Sequence, residues 1–268
     1  MHKLTNEHLT VLLLDPVADR ERFGVRYCTG GYIYQVEDHA GPLLSGPTFP
    51  DGFNWFDGQG IPDSFAQSPL CDPVAPGNEA LILGVGRCDT ARREVIEFCT
   101  WKVAHLDGAY SYRTRQACGD YGVLLERSVS LDGRVVRSRT RVSNTGKAQI
   151  PLRWFPHPFY PIPDGDDLCA LPGPVTVSGN TTYTVGATGY LRCSDLSARQ
   201  AVPVVCNTDG PLTVLQRHPR LGVVAAVFSF PAGHVLVWGN ENTFSFEPYL
   251  ERTVGPGMEL KWSAEYHF

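Results

Sequence analysis

Long apolar runs are what this sequence has least of. The best near the N-terminus, Val11-Leu-Leu-Leu14, is stopped at once by Asp15-Pro16. Such a run is too short for a signal-peptide core and far too short to cross a bilayer, so no membrane partner and a cytoplasmic location are expected. No Cys-x-x-Cys pair occurs among the 8 cysteines, and Cys28, Cys88, Cys99 and Cys118 lie in or beside strand-like runs, where a reduced cysteine acts as a small apolar residue. There is no basic stripe, and the formal net charge is −5, which argues against nucleic acid as a partner. Helix-period patterns, internal repeats and low-complexity tracts are also missing. Asp164, Asp166 and Asp167 lack the spacing of a full calcium ligand set and read as a solvated turn, so no metal is expected.

What is present is strand pattern. With 43% hydrophobic and 19% charged residues in 268 positions, the chain has the composition of an ordinary globular protein with a sizeable core. Gly 27 and Pro 21 favour many turns. Strand-like runs fall at 24–37, 80–88, 94–104, 109–116, 121–131, 134–144, 149–157, 212–217, 222–230, 234–239, 243–248 and 258–267. Asp132-Gly133 predicts a tight two-residue hairpin between 123–131 and 134–142. Beyond it, Arg137, Arg139 and Arg141 alternate with Val136, Ser138, Thr140 and Val142, and read as a solvated outer face. The segment 40–79 is rich in turn residues and carries Phe49, Phe53, Trp55, Phe56 and Phe65, as expected of a loop that covers a core edge or walls a site. These signals predict an all-β chain forming one antiparallel β-sandwich domain over 1–268.

Two runs carry proton-transfer groups. In Arg153-Trp-Phe-Pro-His157-Pro-Phe159, the residues Arg153, Phe155 and His157 share a parity opposite to Leu152 and Trp154. In Phe244-Ser-Phe-Glu247-Pro-Tyr249, Ser245, Glu247 and Tyr249 oppose Phe244 and Phe246. Strand side chains alternate faces, so each run buries one row and presents the other. An imidazole and a carboxylate flanked by aromatic rings suit a sugar-handling site.

Several short motifs, taken in order, resemble the aldose 1-epimerase (galactose mutarotase)-like superfamily, and within it a less characterised branch. They are Phe23-Gly-Val-Arg26 leading to Gly31, Gly60-Ile-Pro-Asp63-Ser-Phe65, Leu83-Gly-Val-Gly86, and Ser143-Asn-Thr-Gly146 followed by Phe155-Pro-His157-Pro-Phe159. Glu247-Pro-Tyr249, Gly255-Pro-Gly257 and the closing Trp262 to Phe268 complete the set, which spans about 23–268. Pro158 stands where the branch usually has Asn, and Asp63 where Glu is common. The resemblance implies a galactose mutarotase-like supersandwich of two twisted antiparallel sheets with a carbohydrate cleft. It also implies anomer interconversion of an aldose, with Glu247 as base and His157 as acid, and neither cofactor nor metal. Arg153, Phe155, Arg26, Asp63, Gln59 and Tyr249 are the expected substrate contacts, and His105 is put forward as the second site histidine. The expected partner is a small-molecule carbohydrate, and the protein a monomer or homodimer. Two other readings stay open: a carbohydrate-binding sandwich without turnover, and an epimerase or lyase of a phosphorylated or acidic sugar.

Overall fold

The hairpin at the centre of the chain illustrates how the sequence builds its largest sheet. In the computed structural model, which describes residues 1–48, 56–71, 77–177, 179, 182–206 and 208–268, strand Tyr121–Asp132 pairs antiparallel with Val135–Asn144. Asp132 faces Val135, so the two loop residues are Gly133 and Arg134, one position later than the sequence suggests. Gly133 takes the positive φ of 53° that the turn needs. Val136, Ser138, Thr140 and Val142 point inward and are buried. On the other face Arg137 pairs with Glu265 at 2.6 Å and Arg141 with Glu126 at 3.3 Å, so this outer row is a ladder of solvated ion pairs.

From that hairpin the sheet extends to ten strands. Their order is Tyr183–Val185, Tyr190–Cys193, Asp167–Ala170, Leu212–His218, Gly222–Phe228, Glu259–His267, Val135–Asn144, Tyr121–Asp132, Ala109–Cys118 and Lys102–Leu106. Two smaller sheets lie against its inner face. One is Leu250–Val254, Ile150–Pro156 and Asp63–Ser64; the other is Val175–Val177, Val202–Cys206, Val235–Gly239 and Phe244–Pro248. The inward rows of the two site-bearing strands hold these layers together. Trp154 packs edge-on to Trp262 with ring centres 5.3 Å apart, and Phe246 meets Phe228 at 6.4 Å. Truncating a buried ring of this kind costs about 3–5 kcal/mol.

Some boundaries differ from the sequence reading. The run 24–37 contributes only Ile33–Asp38, and 80–88 is a hairpin of Glu79–Ile82 and Gly86–Asp89. The run 94–104 breaks into Glu94–Phe98 and Lys102–Leu106. Strands at His2–Thr5, Thr10–Leu13 and Leu250–Val254 are additional. All eight cysteines are free. Among the described residues, no helix is long and apolar enough to cross a membrane.

The layers are also joined by a buried ion pair. Asp63, on its short strand, meets Arg127 of the large sheet, and neither side chain reaches solvent appreciably. Arg127 further donates to the Gly30 carbonyl at 2.9 Å and to Ser138 Oγ at 3.1 Å. The expected sugar contact at Asp63 is therefore corrected: its carboxylate is consumed within the core. Removing it would leave a buried guanidinium uncompensated, so Asp63→Ala is expected to cost about 3–5 kcal/mol in urea unfolding. Parental stability in that variant would contradict the assignment.

Candidate active site

His157 and Glu247 come together because two strand ends are stitched side by side. The chain leaves strand Ile150–Pro156 and donates His157 N to the Pro62 carbonyl at 2.8 Å and Phe159 N to that of Gly60 at 2.7 Å. Gly60 sits at φ 75°, and a Cβ there would fall 2.2 Å from the Tyr34 carbonyl oxygen, so the close approach requires glycine. Tyr160 and Phe244 then exchange backbone bonds at 3.0 Å, which fixes the register to strand Phe244–Pro248. With the phenylalanines of that strand facing the core, Ser245 and Glu247 turn the other way. His157 Nε2 lies 3.1 Å from Glu247 Oε1, and His157 Nδ1 lies 3.0 Å from Ser245 Oγ.

This pair forms the inner wall of a cavity of about 500 Å³. Phe155, Phe159 and Trp238 supply rings; Arg26, Gln67, Arg199 and Asn240 supply polar groups. The 40–79 loop contributes Pro47, Thr48, Phe56 and Asp57, and Asn240 Nδ2 donates to the Pro47 carbonyl at 2.9 Å to hold it there. Trp238 Nε1 donates to the Arg199 carbonyl at 3.1 Å and pins the opposite rim. Arg26 stacks over Phe56, its guanidinium carbon 4.6 Å from the ring centre.

No protein-family model matches the sequence, and no curated protein matches it. Solved structures do. A galactose mutarotase related enzyme from Lactobacillus acidophilus aligns over 100% of this chain and 97% of its own, with a TM-score of 0.65 and 11% identity. A galactose mutarotase-like protein from Lactobacillus casei aligns over 100% and 99%, with a TM-score of 0.64 and 13% identity. A GalM/aldose epimerase homologue from C. elegans aligns over 98% and 97%, at 0.53 and 10%. The chain has the galactose mutarotase-like fold.

Within this mutarotase-like sandwich the expected site residues divide. Arg26, Phe155, His157 and Glu247 share the cavity. Tyr249 stands just behind it, donating its hydroxyl to Glu247 Oε2 at 3.4 Å and stacking on Phe155 with centres 4.8 Å apart. Arg153 is on the same strand face but farther out, paired with Glu251 at 2.5 Å beside a separate groove, and lies outside the cavity that holds the pair. Gln59 is outside the cavity lining; its backbone N–H donates to the Tyr32 hydroxyl at 3.2 Å. His105 is exposed on the edge strand Lys102–Leu106 and stacks on Tyr110 with centres 4.3 Å apart, which removes it as a second site histidine. Phe65 is core. Phe49, Phe53 and Trp55 lie outside the described residues. Gln67, Asn240 and Arg199 had no motif to mark them, whereas Ser245 shares the parity of Glu247 and was findable from it.

The charges of the pair follow from its burial. Loss of water pushes the Glu247 carboxyl up to about 8, against a smaller opposing pull from Arg26. Burial, and then the Arg26 charge, drive His157 well below the usual imidazole range. At neutral pH the pair thus holds one titratable proton beyond the N–H of the neutral imidazole; it sits on Glu247, which donates to His157 Nε2, while His157 Nδ1–H donates to Ser245 Oγ. Because the carboxyl binds its proton more tightly when folded, its stabilising contribution is complete below the ordinary carboxyl range and is lost as pH rises towards about 8. Glu247→Gln escapes that loss. Its Tm advantage over the parent protein is expected to widen from pH 5 to pH 8, by roughly 2–4 °C per kcal/mol relieved. A gap independent of pH would contradict the raised carboxyl.

Proposed function

We propose that the protein interconverts the anomers of a reducing aldose by general acid–base ring opening. The observation that carries this reading is the 3.1 Å contact of His157 with Glu247 in a cavity walled by rings and hydrogen-bonding groups. Ring opening needs a base at the anomeric hydroxyl and an acid at the ring oxygen, acting together. A pair that carries one titratable proton in total meets this need. Passing that proton from Glu247 to His157 leaves a carboxylate base and an imidazolium acid at no cost in net charge. Glu247 then takes the hydroxyl proton as His157 protonates the ring oxygen, and the open aldehyde rotates about its C1–C2 bond. Closure on the other face returns both protons. Arg26 favours the carboxylate form of Glu247, and Phe155, Phe159 and Trp238 offer faces to the C–H side of a pyranose. Arg26 and Arg199 line the same cavity, which favours, as a second reading, an aldose bearing a phosphate or carboxylate.

Anomeric exchange followed by NMR across aldoses, sugar acids and hexose phosphates tests the proposal. One class is expected to exchange faster with protein, and Glu247→Gln and His157→Ala each to reduce the acceleration at least 100-fold, within the usual worth of one acid or base. Binding without acceleration would replace the isomerase with a carbohydrate-binding sandwich. The rate is expected to be bell-shaped in pH. Its acid limb falls below the usual imidazole range, where His157 also gains a proton and no base remains. Its alkaline limb falls near 8, where Glu247 gives up the titratable proton and no acid remains. A profile flat through pH 8 would contradict the shared proton.

A further inference from the structure

The outward row of strand Ile150–Pro156 does not end at the cavity. Pro151 and Arg153 continue the line of Phe155 and His157, and they wall a groove of about 750 Å³ with Gln67, Pro69, Glu251 and Thr253. Gln67 belongs to the linings of both the cavity and the groove. From His157 to Arg153 is four residues of extended chain, roughly 13 Å at about 3.3 Å each. That is longer than one pyranose ring. A ring opened at its anomeric end by the acid–base pair has its remaining substituents directed away from that pair, and the groove is the adjoining polar space.

Hydrogen bonds connect the two compartments. Arg153 Nη1 donates to Gln67 Oε1 at 3.4 Å, Gln67 Nε2 donates to the Tyr249 hydroxyl at 2.9 Å, and that hydroxyl donates to Glu247. The groove carries what a sugar unit uses. Arg153 and Glu251 form an exposed donor–acceptor pair, Thr253 bears a hydroxyl, and Pro69 and Pro151 present aliphatic rings. We propose that the groove is a second sugar subsite and that the preferred ligand is a reducing di- or oligosaccharide, its reducing unit in the cavity and its next unit between Arg153 and Thr253. This rests on the anomer-interconverting reading of the cavity.

The test compares free glucose and galactose with the reducing disaccharides maltose, cellobiose and lactose, using anomeric exchange and saturation-transfer NMR on the same samples. At least one disaccharide is expected to exceed its monosaccharide about tenfold in kcat/KM, with saturation reaching both rings. Thr253→Trp, which fills the groove from an exposed position, and Arg153→Ala are each expected to bring that ratio to about one and to remove saturation from the second ring. Equal kcat/KM for mono- and disaccharide, or saturation confined to the reducing ring or absent, overturns the second subsite. If no sugar exchanges faster, the isomerase reading fails, and the saturation pattern still decides the groove. Saturation of both rings that disappears from the second in Thr253→Trp supports the subsite, and saturation of one ring or none rejects it.

Discussion

The desolvated contact between His157 and Glu247 is the constraint around which the small sheets are arranged. Neither group would stay in a dry pocket as an isolated charge, because burial penalises the imidazolium and the carboxylate alike. Together they share one proton and remain neutral overall. The acid and base roles proposed for them rest on that neutrality, since moving the proton between them changes the role of each group without changing net charge. Arg26 sets the balance from the cavity wall, and Ser245 orients the ring from the far side. The cavity is therefore tuned by its dryness as much as by its residues.

Such a pair is held only if the backbone beneath it is rigid. The inward rows of the two strands, with Trp154, Phe244 and Phe246, anchor them to the ten-stranded sheet. Gly60 allows the loop backbone to press against that of Ile33 and Tyr34 while its carbonyl accepts from Phe159 N, and the Asp63–Arg127 ion pair ties the short strand beside it to the core. These features lie outside the cavity, yet they set the distance between the proton-transfer groups. Packing determines the strand positions, the strand positions determine the 3.1 Å contact, and the burial of both groups determines the proton inventory.

The alternation in the Arg153–Phe159 and Phe244–Tyr249 runs was legible because a period of two is strict: one row must enter the core, and the titratable side chains fall on the other. The same logic recovered the arginine row of the central hairpin. What could not be read were long-range partnerships. Asp63 looks like a loop carboxylate until Arg127, distant in sequence, is found against it. Arg153 shares the parity of His157, but parity gives a face and not a distance along it. His105 had no local pattern to mark it as a site residue, and its edge strand lies on the other layer. The strand Leu250–Val254 is hidden in the sequence because an edge position leaves Glu251, Arg252 and Thr253 polar. The short strands between 167 and 206 sit among turn residues that mask their period.

At neutral pH His157 and Glu247 hold a single titratable proton between them. Nitrogen-15 NMR of the labelled histidines, with His157 assigned by its loss in His157→Ala, tests this most directly. A neutral His157 protonated at Nδ1 is expected through neutral pH, with no titration in the ordinary imidazole range and a response near pH 8 as Glu247 gives up its proton. A His157 that titrates freely near 6.5, with no response near pH 8, would contradict it.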